Sequence, residues 1–284
     1  MHIGMAKQRL IGKIVYHAFC LFLAVVMLYP LLWMIFSSFK ETDLVLREAS
    51  KLLPDKWTLE NYFNGWKGFS KITFGTFFKN SFIVAGLATL GAVFSSAVIA
   101  FGFARIRFPG SNFWFGCMMI TLMLPFQVVM VPQFLLYSKL GWVGTFLPLI
   151  VPYFCGQAFF IFLDMQFIRG IPKDLDEAAA IDGCNPFSVF GRIILPIIVP
   201  ALVTSTIFSF IWRWEDFMAA FLFINKPENY TISLALKLFS DPSASSDYGA
   251  MFAMATLSIL PACLLFIFFQ KYLVEGIATT GLKG

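Results

Sequence analysis

The chain has 284 residues, of which 59% are hydrophobic and 13% are charged, and its formal net charge is +5. This apolar share exceeds that of soluble globular proteins, so the sequence indicates a protein embedded in a lipid bilayer. The basic excess is not interleaved with exposed aromatic residues outside the apolar stretches, which excludes a nucleic-acid-binding protein. We interpret the positive charge as a signal of membrane topology and headgroup contact.

Six apolar stretches are long enough, or nearly so, to cross the hydrocarbon core of a bilayer, which is about 30 Å thick. We predict that each is a transmembrane helix, so the expected fold class is an all-α integral membrane protein with six spans. Prolines inside these stretches predict kinks. The predicted spans are residues 14–39, 81–104, 113–136, 146–168, 197–224 and 251–273, within a transmembrane domain of residues 14–273.

We predict that residues 1–13 form a cytoplasmic N-terminus, because the apolar run that follows is too long for a secretory signal and lacks a convincing cleavage site. Six spans then place residues 169–196 and the tail of residues 274–284 on the cytoplasmic side as well. The distribution of Lys and Arg supports this orientation only when the first outer loop, which is rich in lysine, is set aside.

The loop of residues 169–196 carries the most informative pattern. Asp174 and Glu177 have the spacing of a capping box, which predicts a helix of about two turns that starts just after Asp174. Gly183 is placed to close this helix in the left-handed conformation. Asn185, followed by proline, predicts the cap of a second short helix. The sequence therefore predicts helix, turn and helix between two spans.

An ordinary interfacial connector is the alternative, because any loop of this length can hold a helical turn. The complete spacing is more specific than the triplet alone. It consists of a Glu-Ala-Ala triplet that begins at Glu177, then Gly183, and then an Ile-Ile-Leu-Pro run that ends at Pro196. A polar hinge of this kind between spans favours a membrane protein that is driven by a partner.

Catalytic and metal sites find little support. The five cysteines are spread along the chain without a C-x-x-C pair, and both histidines lie near the N-terminus. These residues do not have the spacing of a metal, redox or Ser/His/Asp site. No G-x-x-x-x-G-K-[ST] phosphate loop occurs. We therefore expect a chain that is not an enzyme and binds no cofactor or metal; if ATP drives it, another chain hydrolyses the ATP.

Further segments accompany the loop, in order, along nearly the whole chain: Lys79-Asn80-Ser81, Ala104-Arg105, Phe108-Pro109-Gly110, Leu124-Pro125, Val131-Pro132, Ile171-Pro172-Lys173, Trp214-Glu215-Asp216-Phe217 and Tyr272-Leu273-Val274-Glu275-Gly276. With these segments the chain resembles the integral-membrane permease subunits of bacterial ABC importers. The similarity is to the carbohydrate type, related to the smaller permease of the maltose importer. The loop matches the EAA signature of that family in full.

The resemblance implies a type I importer fold in the bacterial cytoplasmic (inner) membrane. It also implies the partners: a second, larger permease, two copies of an ABC ATPase that bind ATP and Mg, an extracytoplasmic sugar-binding protein, and membrane lipid. The chain would form half of the translocation path for a sugar, with an oligosaccharide as the expected substrate.

The same resemblance implies that the loop forms the coupling helix, which seats in a groove of the ATPase. Glu177 would be the polar contact, the two alanines after it the close-packing surface, and Gly183 the turn on which the loop pivots. The docked helix would then tilt the spans when the ATPases close around ATP. The tail of residues 274–284 would lie against the ATPases too. The predicted coupling residues are Glu177, Ala178, Ala179, Asp182, Gly183, Leu195 and Pro196.

Ionisable residues near the middle of the fifth predicted span depart from the family, whose members usually carry a smaller polar residue at Arg213 and an asparagine at Glu215. Charges at that depth are expected to face a cavity or a partner. Arg213 and Asp216 are three positions apart and are expected to pair. The sharper alternative is that Arg213 meets the carboxylate of a uronate-containing, alginate-like oligosaccharide. Trp214 is the one aromatic residue expected to stack on a sugar ring.

The polar loop of residues 225–250 is expected to lie outside and, by the resemblance, to contact the sugar-binding protein. A solvated connector without a recognition role is an equal alternative. A secondary transporter also uses broken helices and buried charges, but the two halves of the chain show no internal repeat. Peptide, phosphate and osmolyte permeases share the EAA loop, and it is the similarity along the whole chain that favours sugar.

Overall fold

The computed structural model describes residues 2–69, 71–239 and 247–281, and side chains from residue 9 to residue 272 within these ranges. The regular secondary structure of these residues is helical, with short 3-10 and π-helical turns, and the one β feature is an isolated bridge between Phe69 and Ile72. The predicted all-α class is therefore correct. The helices are α1 His2–Ser37, α2 Thr42–Arg47, α3 Glu60–Lys67, α4 Phe74–Arg105, α5 Ser111–Met123, α6 Phe126–Lys139, α7 Leu147–Ile150, α8 Ala158–Gly170, α9 Asp174–Ile181, α10 Pro186–Val189, α11 Leu195–Ile197, α12 Val199–Trp214, α13 Met218–Phe223, α14 Ile232–Leu238 and α15 Tyr248–Gly281.

Four stretches of the described residues are long and apolar enough to cross a membrane as they stand, namely Arg9–Ser37, Phe74–Arg105, Leu147–Gly170 and Tyr248–Tyr272. Two further pairs of helices pass the same test together but are bent. The α5–α6 pair bends by 103°, and the pair Pro186–Ile197 and Val199–Trp214 bends by 76°. When each bent pair counts as one span, the total is six, the predicted number.

The third predicted span, residues 113–136, is not one straight helix. Leu124 and Pro125 are extended, with ψ angles of 116° and 145°, and they separate α5 from α6. The cause is steric, because the ring of a proline disfavours helical backbone at the residue before it. A kink was predicted here; the structure has a complete break.

The fifth predicted span, residues 197–224, is also interrupted. Its helix α12 ends at Trp214, and a separate short helix, α13, begins at Met218. Between them, Asp216 Oδ1 accepts a hydrogen bond from the backbone N–H of Ala219 at 3.0 Å. This is the bond by which an acidic side chain satisfies a free N–H group at a helix start. Asp216 therefore begins a new helix where the sequence predicted a continuous one.

The chain forms two compact units, Met1–Phe74 with Leu236–Ser258, and Gly75–Ala235 with Ile259–Gly284. In the first unit, Asn61 Nδ2 donates to the carbonyl oxygens of Ser38 at 2.9 Å and Lys40 at 2.6 Å. Lys40 is itself buried, and its amine donates to the carbonyl oxygens of Glu48 and Lys51. Burial lowers the pKa of this amine from its usual value.

The second unit has an apolar core in which α4, α8 and the helices after Pro186 meet. Met165 and Ile168 of α8 are fully buried there, as are Ala100 of α4 and Ile194. Ser205 of α12 donates to the buried carboxylate of Asp164 at 3.2 Å. Ser205 is thus the partner of the buried Asp164 side chain.

Candidate functional site

The loop after α8 begins with α9, a helix of eight residues that rises about 12 Å along its axis. The predicted length of about two turns is confirmed, but the predicted capping box is wrong. Asp174 is already the first helical residue, and the preceding residue, Lys173, makes no capping bond with its side chain. Three acidic residues in the first turn instead complement the positive end of the helix dipole.

Gly183 closes α9 as predicted, with a φ angle of +79°. Its N–H donates to the carbonyl oxygen of Ala180 at 3.1 Å, and the N–H of Cys184 reaches back to Ala179 at 2.9 Å. These bonds satisfy carbonyl groups that the end of the helix leaves free. A side chain with a Cβ is strained in this conformation, because its Cβ approaches the following carbonyl oxygen.

The second short helix is also confirmed. Asn185 Oδ1 accepts a hydrogen bond from the N–H of Ser188 at 2.9 Å, and Pro186 occupies the first helical position. The chain then runs through α10, a π-helical turn from Phe190 to Ile194, and α11. Helix, turn and helix are therefore present as predicted, and the predicted local bonds hold the turn and the second helix.

The surface of this loop differs from the prediction at one position. Glu177, Ala178, Asp182 and Pro196 are exposed, and Leu195 is half-buried. Ala179 is only 5% exposed and packs in the core of its own chain, so it offers no packing surface to a partner in this conformation. The small exposed side chains of α9 are those of Ala178 and Ala180, on either side of Ala179.

Two large apolar side chains that the sequence analysis did not single out project from the same loop. Ile181 is 87% exposed and Phe187 is 86% exposed. They flank Gly183 and its turn, so the turn lies between two uncovered apolar groups. Only their position beside the Gly183 turn, and not their residue type, distinguishes them in a sequence that is rich in apolar residues.

Arg105, the last residue of α4, ties this loop to the transmembrane helices. Its Nε lies 2.6 Å from Asp176 Oδ2 in α9, and its Nη2 donates to the carbonyl oxygen of Ile171 at 2.8 Å. The Arg105 side chain is only 6% exposed. Because water screens such a pair poorly, the attachment is stronger than a surface ion pair. Ala104-Arg105 is one of the segments that carry the family resemblance, but the sequence alone predicts no contact for Arg105.

The second group of candidate residues surrounds the end of α12. Arg213 donates to the Tyr153 hydroxyl through Nη1, and its guanidinium carbon lies 3.9 Å from the centre of the Tyr153 ring. Asp216 Oδ2 lies 3.8 Å from Nη1, so the expected ion pair is present, close to the upper distance limit of about 4 Å for such a pair. Glu215 is exposed. Tyr153 is the partner that the sequence analysis missed, because a contact between distant segments has no local signal.

Trp214 lies in an aromatic cluster of its own chain. It is 5% exposed, and its ring centre lies 4.7 Å from that of Phe82 and 5.5 Å from that of Phe210, against which it stacks. These contacts cover the ring in this conformation. Stacking of Trp214 on a sugar ring stays a prediction, and it requires the cluster to open.

The spans and the exposed loop together define a helical membrane protein with a helix, a turn and a second helix outside its spans. The family model described as "binding-protein-dependent transport system inner membrane component" matches residues 93–279, which is more than half of the chain. The chain belongs to this family. It is thus a multi-pass inner-membrane component of a binding-protein-dependent transport system, and the competing expectation of a secondary transporter is set aside.

Individual relatives agree along almost their full length. The chain is 39% identical over 276 residues to the probable ABC transporter permease protein YurM of Bacillus subtilis, and the match covers 96% of this chain and 90% of the relative. It is 32% identical to the trehalose/maltose transport system permease protein MalG of Thermococcus litoralis, with 98% and 99% of the two chains covered. The predicted resemblance to carbohydrate importer permeases is confirmed.

A solved structure has the same fold. It is a crystal structure of a bacterial ABC transporter involved in the import of the acidic polysaccharide alginate, and the match has a TM-score of 0.79. The two chains are 22% identical, and the match covers 92% of this chain and 96% of the other. This likeness confirms the predicted importer-permease fold.

Proposed function

We propose that the chain is the permease subunit of an ATP-driven importer and forms half of the translocation path for a sugar, with an oligosaccharide as the preferred substrate. A second, larger permease would supply the other half, and an extracytoplasmic binding protein would deliver the sugar. Two copies of an ABC ATPase would bind ATP and Mg and hydrolyse the ATP. The trehalose/maltose system named for the Thermococcus relative supports the substrate class.

The observation that carries the proposal is the loop of residues 174–187. Hydrogen bonds at Gly183 and Asn185 close its turn, Arg105 attaches it to α4, and it leaves Ile181 and Phe187 uncovered. Apolar side chains exposed to this degree beside a hinge mark a surface for another protein. We propose that these two residues, with Glu177 and Ala178, seat the loop in a groove of the ATPase. Gly183 would act as the turn on which the loop pivots.

Charged substitutions at the two apolar residues test this surface. Ile181→Asp and Phe187→Asp should each weaken ATPase binding by about tenfold or more, because an apolar side chain buried in a contact contributes roughly 1.5–3 kcal/mol. The measurement is the amount of ATPase that copurifies with the tagged chain from native membranes, identified by mass spectrometry. Ile106→Asp is the matched control, since Ile106 is exposed on the same predicted side but lies outside the loop.

An unchanged yield of ATPase with both loop variants would contradict the proposed docking surface. A tagged chain that purifies without ATPase or second permease, yet transports in liposomes without ATP, would overturn the whole proposal. The abundance of each variant in the membrane is measured alongside, because a folding defect would lower the chain and its partners together.

An acidic oligosaccharide is the second candidate substrate, and it rests on Arg213. Nη1 is engaged by Tyr153 and Asp216, whereas Nε has no hydrogen-bond partner among the described residues. If Arg213 is structural, Arg213→Gln should lower stability by about 2 kcal/mol, the value of a desolvated cation–π contact. Uptake of neutral and uronate-containing sugars should then fall equally. Thermal unfolding and competitive uptake measure this, with Tyr153→Phe, which keeps the ring, as the control.

A selective loss of uronate uptake in the Arg213→Gln protein, without a loss of stability, would favour the acidic substrate instead.

The remaining expectations lie partly outside the described residues. The side chains of the tail of residues 274–284 are not described, nor are residues 240–246 of the outer loop. Contact of the tail with the ATPase, and of the outer loop with the binding protein, therefore stay predictions.

A further inference from the structure

The segment between α1 and α4 is folded tightly onto the end of α1. Trp33 Nε1 donates to the carbonyl oxygen of Ala49 at 2.8 Å, so the chain returns to the level of the last turn of α1. The Ser38 hydroxyl lies 2.7 Å from the hydroxyl of Tyr62 in α3. The Trp57 ring lies 5.4 Å from that of Phe39. Residues 41–67 are thus fixed beside the end of α1.

The depth of this segment follows from the length of α1. The apolar stretch Arg9–Ser37 contains 29 residues and is about 43 Å long, whereas the hydrocarbon core is about 30 Å thick. Between Lys13 and Lys40 the chain carries no lysine, arginine, aspartate or glutamate. This uncharged stretch is therefore the part of the chain that crosses the hydrocarbon core, and α3 lies at the level of its second end.

Helix α3 has three distinct sides at this level. Asn61 and Gly65 are buried against their own unit. Glu60 and Lys67 are exposed and charged. The remaining side carries Leu59, just before the helix, with Phe63 and Trp66, which are 58%, 67% and 47% exposed. Their spacing of four and then three residues places all three on one face of a helix.

We propose that this face of Leu59, Phe63 and Trp66 lies in the bilayer, at the boundary between headgroups and acyl chains, on the side of the membrane where α1 ends. An amphipathic helix with an apolar face beside a charged flank binds at this depth. Tryptophan is enriched at this boundary because its large ring is amphipathic. The face continues the lipid contact of α1, and α3 acts as an anchor that fixes the depth of the first unit.

Photo-crosslinking from a single position tests what covers this face. p-Benzoylphenylalanine is placed at Phe63 in the full chain, and the matched position is the half-buried Asn64, the next residue, whose side chain points about 100° away around the helix. Cells that express the whole importer are irradiated, and mass spectrometry identifies the adducts on the purified chain. We expect phospholipid adducts at position 63 in clear excess over those at position 64.

Adducts at position 63 that fall mainly on a second permease or a binding protein would overturn the proposal and assign the face to that protein. Equal phospholipid adducts at both positions would overturn it too, because a helix lying in the boundary must present one face to lipid. An absence of adducts at position 63 would mean that the face meets water, and this also contradicts the anchor.

Discussion

A Gly183→Val protein should lose most of its coupled transport while its spans remain folded. The φ angle of +79° places Gly183 in the left-handed region, where a side chain costs roughly 1–2 kcal/mol and a β-branched one is a genuine outlier. A Cβ added at Gly183 meets no atom within 4 Å, so the effect is one of backbone conformation and not of a clash. A penalty of this size reduces the population of the native turn roughly five- to thirty-fold.

The measurement is substrate-stimulated ATPase activity and uptake by the reconstituted importer. Gly191→Val is the matched control, because its added Cβ also meets nothing within 4 Å and its φ angle is not positive. Gly183→Asn should retain most of the activity, since asparagine tolerates the left-handed conformation better than other side chains. Equal activity of the two valine variants would show that the turn at Gly183 is not needed for coupling.

An Arg105→Gln protein should keep its membrane insertion but release the loop from α4. The pair with Asp176 is largely shielded from water, and breaking a fully buried pair costs about 3–5 kcal/mol. Asp176 is partly exposed, so we expect about 2 kcal/mol, which opens the loop roughly thirtyfold more often. The ATPase should still bind to the released loop, but its closure should no longer move α4.

Hydrogen–deuterium exchange measures this release directly, as faster exchange in peptides from residues 171–181 with no change within α4. Arg107→Gln is the control, because it makes the same change two residues further on at an exposed arginine. Asp176→Asn should give a smaller effect, since Arg105 keeps its bond to the Ile171 carbonyl. If exchange in the loop is the same in the Arg105 and Arg107 variants, the attachment does not hold the loop.

The turn at Gly183 and the helix cap at Asn185 were predictable because single residues encode them. Glycine is the residue that adopts a positive φ angle without strain, and asparagine before proline is a strong helix start. Gly183 and Asn185 therefore each determine the backbone conformation around them. The capping box failed because its spacing also fits a helix whose first turn is merely acidic, and the structure begins that helix one residue early. The number of spans followed from apolar length alone.

The contacts between residues of different helices were not predictable from the sequence. Arg105 and Asp176 belong to different helices, as do Arg213 and Tyr153, and only the fold brings them together. Exposure is equally a property of the fold, which buried Ala179 and left Phe187 uncovered. The complete breaks at Pro125 and around Asp216 also depend on neighbouring groups that can satisfy the interrupted backbone. Hydrophobic periodicity carries no information about these groups.

The break at Leu124 and Pro125 limits which surroundings this part of the chain can have. Helix α5, with 13 residues, is only about 20 Å long, and α6, with 14, about 21 Å, so neither half crosses the hydrocarbon core alone. Extended backbone at membrane depth leaves carbonyl groups that hydrocarbon cannot satisfy, so such a break is stable only beside protein or a water-filled cavity. Met123 is 81% exposed in the isolated chain, and no other part of the described chain covers it. The side of the chain that carries the break between α5 and α6 must therefore face a water-filled cavity or another subunit, and not lipid.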